Sequence, residues 1–268
     1  MILPSAVPLA LAAVVFALLL GLERARPLRP PSQSKARRAA IAAGFAASSA
    51  LVMVLGYPAL VMPALDLCAR NGVGLLRWAR VPAPFRAAIA FVLLDYSLWL
   101  WHRLNHRVPF LWRFHAAHHA DLDLDVLTAW RFHFGEIAAS IPFRTAQVVL
   151  LGVDLGPLLG WEVTILVAAQ FHHANLRMPT ALERMLRLLV VTPRLHGIHH
   201  AIEPRDVSSN FGTLFSVWDQ LHGVHRWRVD APPAIGLPEL RDPRALTLLR
   251  SLALPFKRHP PRRPEAPS

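Results

Sequence analysis

The chain has 268 residues, 54% of them hydrophobic and 17% charged, with a formal net charge of +12. That apolar excess and charge deficit exclude an ordinary soluble domain as the first reading and point to a membrane protein. The single cysteine, Cys68, excludes an internal disulfide framework and a cysteine-based metal site, so any metal must rest on histidine or carboxylate. The basic residues lie in loops beside apolar runs and in a Pro/Arg-rich tail, 257–268. That placement suits anionic lipid headgroups and speaks against nucleic acid as a partner.

In chain order, residues 2–22 form an apolar run that ends at Glu23-Arg24-Ala25-Arg26. It reads as a first membrane span and not a cleaved signal, because the positive charges follow the run and further apolar spans come later. The segment 23–38 carries Arg24, Arg26, Arg29, Lys35, Arg37 and Arg38 against one acid, which places this loop in the cytosol by the positive-inside rule. A second span is expected over about 39–62. A third, from about 87 to 101, returns the chain to the cytosol through Trp99-Leu100-Trp101 and runs directly into His102.

Residues 137–171 read as an apolar hairpin turning at Gly152, Asp154, Gly156 and Pro157. Each arm of about 15 residues would reach roughly 22 Å, so full and partial insertion both stay open. Thr180 and Glu183 fit a capping box for a surface helix over 181–190, with Leu182, Met185, Leu186 and Leu189 on its apolar face. The tail after about residue 254 reads as disordered. The expected organisation is 1–86, N-terminal spans and basic loop; 87–228, catalytic domain; and 229–268, C-terminal segment. The fold class is all-α, a multi-span transmembrane bundle with a cytosolic histidine-rich helical cap.

Thirteen of the fourteen histidines fall between His102 and His225. His102-x3-His106 places two imidazoles on one helical face, and Asp95 lies seven residues earlier on that face. His115-x2-His118-His119 follows, and the same pattern returns as His196-x2-His199-His200. Between them stand Arg131-x-His133-x2-Glu136 and His172-His173-x-Asn175. Imidazole suits iron, copper, nickel and zinc. Eight or more inward histidines exceed what a haem or a single ion uses, which argues for two metals. Neither Glu-x-x-His nor His-Glu-x-x-His occurs, so the ligand set is histidine-rich and not that of a carboxylate-bridged bundle or a zinc protease. His172, His222, His225 and His259 read as structural.

These spacings, with Asp95, Arg103, Arg131, Glu136, Asn175 and Asn210-Phe-Gly212, resemble the fatty acid hydroxylase and sterol desaturase superfamily of integral-membrane di-iron enzymes over roughly residues 87–228. The resemblance implies metal ligation by His102, His106, His115, His118, His119, His173, His196, His199 and His200, with His133 as a tenth. It implies supporting roles for Asp95, Glu136, Asn175 and Asn210. It further implies two iron ions, O2 as co-substrate, a lipid substrate drawn from the bilayer, and electrons from a separate donor protein. Hydroxylation is expected, with desaturation at the same site as the alternative. A histidine-rich metal transporter is the competing class; transport would string ligands through the bilayer at several depths.

Overall fold

A computed structural model describes residues 6–228, 231–258 and 261, and among these the regular elements are all helices, joined by loops with three isolated β-bridges. Helix α1 (Ala6–Ala25) packs on α8, and its basic exit leads into α2 (Lys35–Gly56), capped by Ser34. Pro58 and Pro63 cannot donate to a helical ladder, and a π-helical turn at Tyr57–Val61 absorbs the fault before α3 (Met62–Asn71) continues in line. A single turn, α4 (Leu75–Trp78), precedes α5 (Ala83–Arg107). The stretches Lys35–Trp78 and Ala83–Arg107 are long and apolar enough to cross a membrane. Leu51, Val54, Leu55, Leu67, Phe85 and Val92 stand exposed along them, as a lipid-facing surface requires.

Helix α5 is longer than the span expected there and carries His102 and His106 inside its last turns. It stops because Pro109 forces Val108 into an extended conformation. The same proline opens α6 (Pro109–His119), which folds back over the end of α5. Helices α7 (Phe134–Leu151) and α8 (Leu155–His173) form the expected hairpin, with arms of 18 and 19 residues instead of about 15. Gly152, left-handed at φ 73°, closes α7. The core between α3, α5, α7 and α8 is built on Leu65, Cys68, Leu94, Val148, Leu158 and Trp161.

The remaining helices are short: α9 (Thr180–Leu186), α10 (Pro193–His199), α11 (Pro204–Val207), α12 (Val217–Leu221) and α13 (Leu248–Leu252). The capping box at Thr180 does not form. Pro179 occupies the cap, and Glu183 is buried because its carboxylate takes the backbone N–H and guanidinium of Arg194. Leu182, Met185, Leu188 and Leu189 do stand exposed on one side. Disorder does not begin at about 254: Leu254 and Pro255 are buried in a 3-10 turn against α6 and α2. Residues 262–268 and His259 lie outside the described residues, as do the first residues of the expected first span.

A buried charge network ties the loop after α6 to the basic loop before α2. Arg38 donates to Asp121 (2.7 and 3.2 Å) and to Asp125, Arg131 pairs with Asp121 (3.2 Å), and Asp123 accepts from Ser32 and Gln33 at 2.7–3.1 Å. Burial alone would raise the Asp121 carboxyl. Arg131 and Arg38 overcome that and hold it well below the usual carboxylate range.

Candidate metal centre

Four chain segments deliver the histidines to one buried place. The end of α5 brings His102 and His106, α6 brings His115, His118 and His119, α8 ends on His172 and His173, and α10 with its cap brings His196, His199 and His200. Thr192 caps α10 and Pro193 starts it, so the second triplet begins at a defined phase. Gly197 lies within the triplet where a Cβ would collide with the Arg29 guanidinium.

The nine imidazoles divide into two groups whose nitrogens lie within 4.8 Å of one another: His102, His106, His115, His119 and His199; and His118, His173, His196 and His200. Each His-x2-His-His motif is split between them. On a helix, i and i+4 project almost together while i+3 turns away to the other side of that line. So α6 gives its His115/His119 pair to the first group and His118 to the second. Helix α10 does the reverse, giving the His196/His200 pair to the second group and His199 to the first. The two repeats thus act as reciprocal halves.

Nδ1 contacts aim several of the rings. His102 donates to the Phe211 carbonyl (2.7 Å), His199 to Ser209 (2.8 Å), His173 to Ala169 (2.7 Å) and His115 to Glu136 (2.9 Å). A carbonyl only accepts, so these contacts fix the proton on Nδ1 and leave the Nε2 lone pair facing inward. Nε2 atoms meet at 3.1 Å (His118–His173), 2.9 Å (His173–His196), 3.1 Å (His196–His200) and 3.2 Å (His115–His119). Neighbouring ligands on a metal with bonds of about 2.0–2.1 Å stand roughly 3 Å apart. Among the described residues His106 has no hydrogen-bond partner at either nitrogen, nor has His199 at Nε2, although both rings are buried. An unpartnered buried polar atom costs about 1–3 kcal/mol, so converging lone pairs of this kind fit a cation and not an apolar core.

Burial, and after it the like charge of neighbouring rings, pushes His118, His119, His196 and His200 well below the ordinary imidazole range. Burial also outweighs the Ser209 bond and brings His199 down to about 3. The folded rings therefore stay neutral, as ligands must be, while unfolded rings take up protons below about pH 6.5. The unfolded chain then binds more protons, so stability rises with pH and is lost as the pH drops below about 6.5. Metal-stripped protein is expected to melt at a clearly lower temperature at about pH 5.5 than at about pH 7.5, read by thermal unfolding in detergent. Equal melting temperatures would contradict neutral buried rings.

Glu136, at the start of α7, accepts from His115 Nδ1 at 2.9 Å. Replacing it with alanine is expected to weaken metal binding by roughly 10–100-fold while leaving the helix content unchanged, measured by competition with a chelator. Unaltered affinity would demote the contact.

Three anticipated residues stand elsewhere. His133 does not join either group: its Nδ1 caps α7 by accepting from Gly135 (2.9 Å) and its Nε2 meets the Leu252 carbonyl (3.0 Å), so both nitrogens are engaged. Asn175 instead pins the basic loop, accepting from the Arg29 N–H and donating to its carbonyl, both at 2.8 Å. Asp95 reaches neither His102 nor His106; it accepts from Trp218 Nε1 (2.7 Å) and Phe215 N (3.4 Å). Asn210 acts indirectly. It adopts a left-handed φ of 52° and bonds Leu195 and Arg226, and its neighbours Ser209 and Phe211 supply the carbonyls that hold His199 and His102.

Sequence reasoning passes over one residue that positions the site. Asp219 accepts from the N–H groups of Phe211 (2.8 Å) and Gly212 (3.0 Å) and from Trp99 Nε1 (2.7 Å), so it clamps the loop that orients His102. Its spacing from Asn210-Phe-Gly212 was the available signal. His172, read as structural, is buried, donates to the Thr213 carbonyl (2.9 Å) and lies with its ring centroid 3.9 Å from that of His196 at a 45° tilt, and it enters neither group. Beneath both groups opens a cavity of about 470 Å³, lined by Met53, Leu98, Trp101, Phe143, Ile165 and Leu166 and roofed by His102, His115, His118, His172, His173 and His196.

A family model described as fatty acid hydroxylase matches residues 87–224. The chain is 35% identical over 145 residues to the ornithine lipid hydroxylase OlsE of Rhizobium tropici, a stretch covering 53% of this chain and 42% of that protein. It is 29% identical over 169 residues to human cholesterol 25-hydroxylase (58% and 60% covered) and 23% identical over 142 residues to human alkylglycerol monooxygenase (53% and 31%). The chain thus spans about half the length of the relatives it matches. No solved structure matches.

Proposed function

Because the chain belongs to the fatty acid hydroxylase family, we propose that it is a membrane-embedded di-iron oxygenase that hydroxylates a C–H bond of an amphipathic lipid. The observation that carries this reading is the placement of two imidazole groups as the roof of one apolar cavity. Two iron ions, when bound, supply the reduction of O2 and the oxidation of an unactivated carbon. Overall the reaction consumes the lipid, O2, two electrons and two protons, and yields the alcohol and water.

The protein supplies the rest. His102, His106, His115, His119 and His199 would hold one ion, and His118, His173, His196 and His200 the other. Glu136 and the carbonyls of Phe211, Ser209 and Ala169 keep the rings aimed. The apolar walls at Met53, Leu98, Phe143 and Ile165 receive a lipid chain and exclude water. All nine imidazoles gather at one level of the bundle, an arrangement for a fixed site and not for a transport path. The basic segment 23–38 supports a cytosolic cap, where a separate protein would deliver electrons and anionic headgroups would settle. The matched relatives named for ornithine lipid, cholesterol and alkylglycerol hydroxylation support an amphipathic membrane lipid as the substrate class.

The test is lipid analysis of cells with and without the full chain under 18O2. A lipid heavier by one labelled oxygen is the expected outcome. Loss of two hydrogens would instead make the protein a desaturase, and an unchanged lipid profile with active donor present would overturn the oxygenase reading.

A further inference from the structure

The cavity has a second chemistry at the end away from the histidines. Arg144 on α7 and Glu162 on α8 both line it, and they pair at 3.3 Å. Tyr57, in the π-turn, donates to both oxygens of Glu162 (3.0 and 3.1 Å). Arg144 also donates to Gln147 (2.6 Å), whose amide continues to Ser97 (2.5 Å), and its guanidinium lies 4.2 Å over the Trp161 ring. These are helices whose other cavity-facing residues are mostly apolar.

A charge pair in such a place is expensive. If its task were only to join α7 to α8, well-packed apolar residues would do so at less cost. The pair is also not closed. The Arg144 and Glu162 side chains are 18% and 26% exposed, and both residues line the cavity. Arg144 Nη2 has no protein hydrogen-bond partner among the described residues, and a carboxylate retains acceptor sites beyond the bonds it makes here. Together they offer one donor and one acceptor to whatever enters.

The separation from the roof is set by the helices. Arg144 follows Glu136, the partner of His115, by eight residues on α7, or about 12 Å. Glu162 precedes His173 by eleven residues on α8, or about 16 Å. We propose that Arg144 and Glu162, buttressed by Tyr57, recognise a polar group of the substrate that both donates and accepts, a hydroxyl or an amide, and so fix which carbon lies under the histidines. The substrate is then a lipid carrying such a group roughly 12–16 Å from the oxidised carbon. This assignment rests on the lipid-oxygenase reading only for what happens at the histidine end.

Binding tests it without catalysis. The full metal-loaded chain in phosphatidylcholine nanodiscs is given radiolabelled octadecanol or octadecane, and retention of each is measured. Wild type should hold the alcohol roughly tenfold more tightly than the alkane, and Glu162→Gln and Arg144→Met should each bring that ratio near one with metal content unchanged. Glu162→Gln keeps the size and an acceptor for Tyr57, so it guards against a misfolded Arg144→Met. A ratio near one in wild type, or an unchanged ratio in metal-replete variants, would overturn the assignment. Adding donor and O2 separates the two claims: discrimination without any oxidised probe would leave the polar site and remove the oxygenase, whereas oxidation without discrimination would do the reverse.

Discussion

Replacing His199 with alanine is expected to remove the metal of the first group and to reduce lipid oxidation to background, while the second group keeps its ion. His199 is the one imidazole that α10 contributes to the first group, and its ring centroid lies 4.5 Å from His102, 4.7 Å from His106 and 4.9 Å from His119. His118→Ala is the mirror experiment, since His118 is the one ring α6 gives to the second group. A contact that merely orients a ligand is worth roughly 10–100-fold in affinity, so loss of a ligand should exceed that. Each variant should fall from about two metal ions per chain to about one. His222→Ala, a ring outside both groups that stacks on Trp99, serves as the control and should keep both. If His199→Ala and His118→Ala retained full metal, the reciprocal division of the repeats would be wrong.

The second large effect lies outside the histidines. Asp121→Asn is expected to destabilise the fold by about 3–5 kcal/mol, because it leaves buried cations without their carboxylate. Arg38 keeps Asp125, but Asp121 is the one carboxylate within ion-pair range of Arg131 among the described residues. Both guanidiniums are buried, so water does not compensate. Asp121 also follows His119 by two residues, and release of this loop should loosen the end of α6 and with it His118 and His119. The exposed Asp66→Asn, which loses a solvent-facing pair with Arg70, should change stability by less than about 1 kcal/mol. Thermal unfolding and chelator-release rates check both, and a near-neutral Asp121→Asn would show that the network is not what holds the loop.

What the sequence disclosed follows from which signals are local. The histidine triplets were legible because i, i+3 and i+4 spacing is a property of a helix alone, and the family pattern supplied their chemistry. Their partition was not legible. Each triplet faces two ways, and only the convergence of its rings with those carried by the other helices decides which ring serves which group. The anchors of His102, His173 and His199 were invisible because they are backbone carbonyls, which every residue carries. Arg38 and Asp121 are 83 residues apart, beyond any local pattern.

The misreadings have equally physical causes. His133 sits among family-like neighbours, yet its ring acts as a helix cap. Glu183 had the capping spacing from Thr180, but its buried carboxylate pairs with the Arg194 guanidinium and Pro179 takes the cap. The hairpin arms ran longer than the apolar pattern suggested because Phe134 and Gly135 already belong to α7 and His172 and His173 still belong to α8.

The measurement closest to the central claim is the iron content of the full chain purified without oxygen and loaded with ferrous iron, read by elemental analysis per mole of protein. Two converging imidazole groups predict about two irons per chain, both lost in a His118→Ala/His199→Ala double variant that keeps its helical content. One iron or fewer per wild-type chain, or a double variant that still binds two, would contradict it.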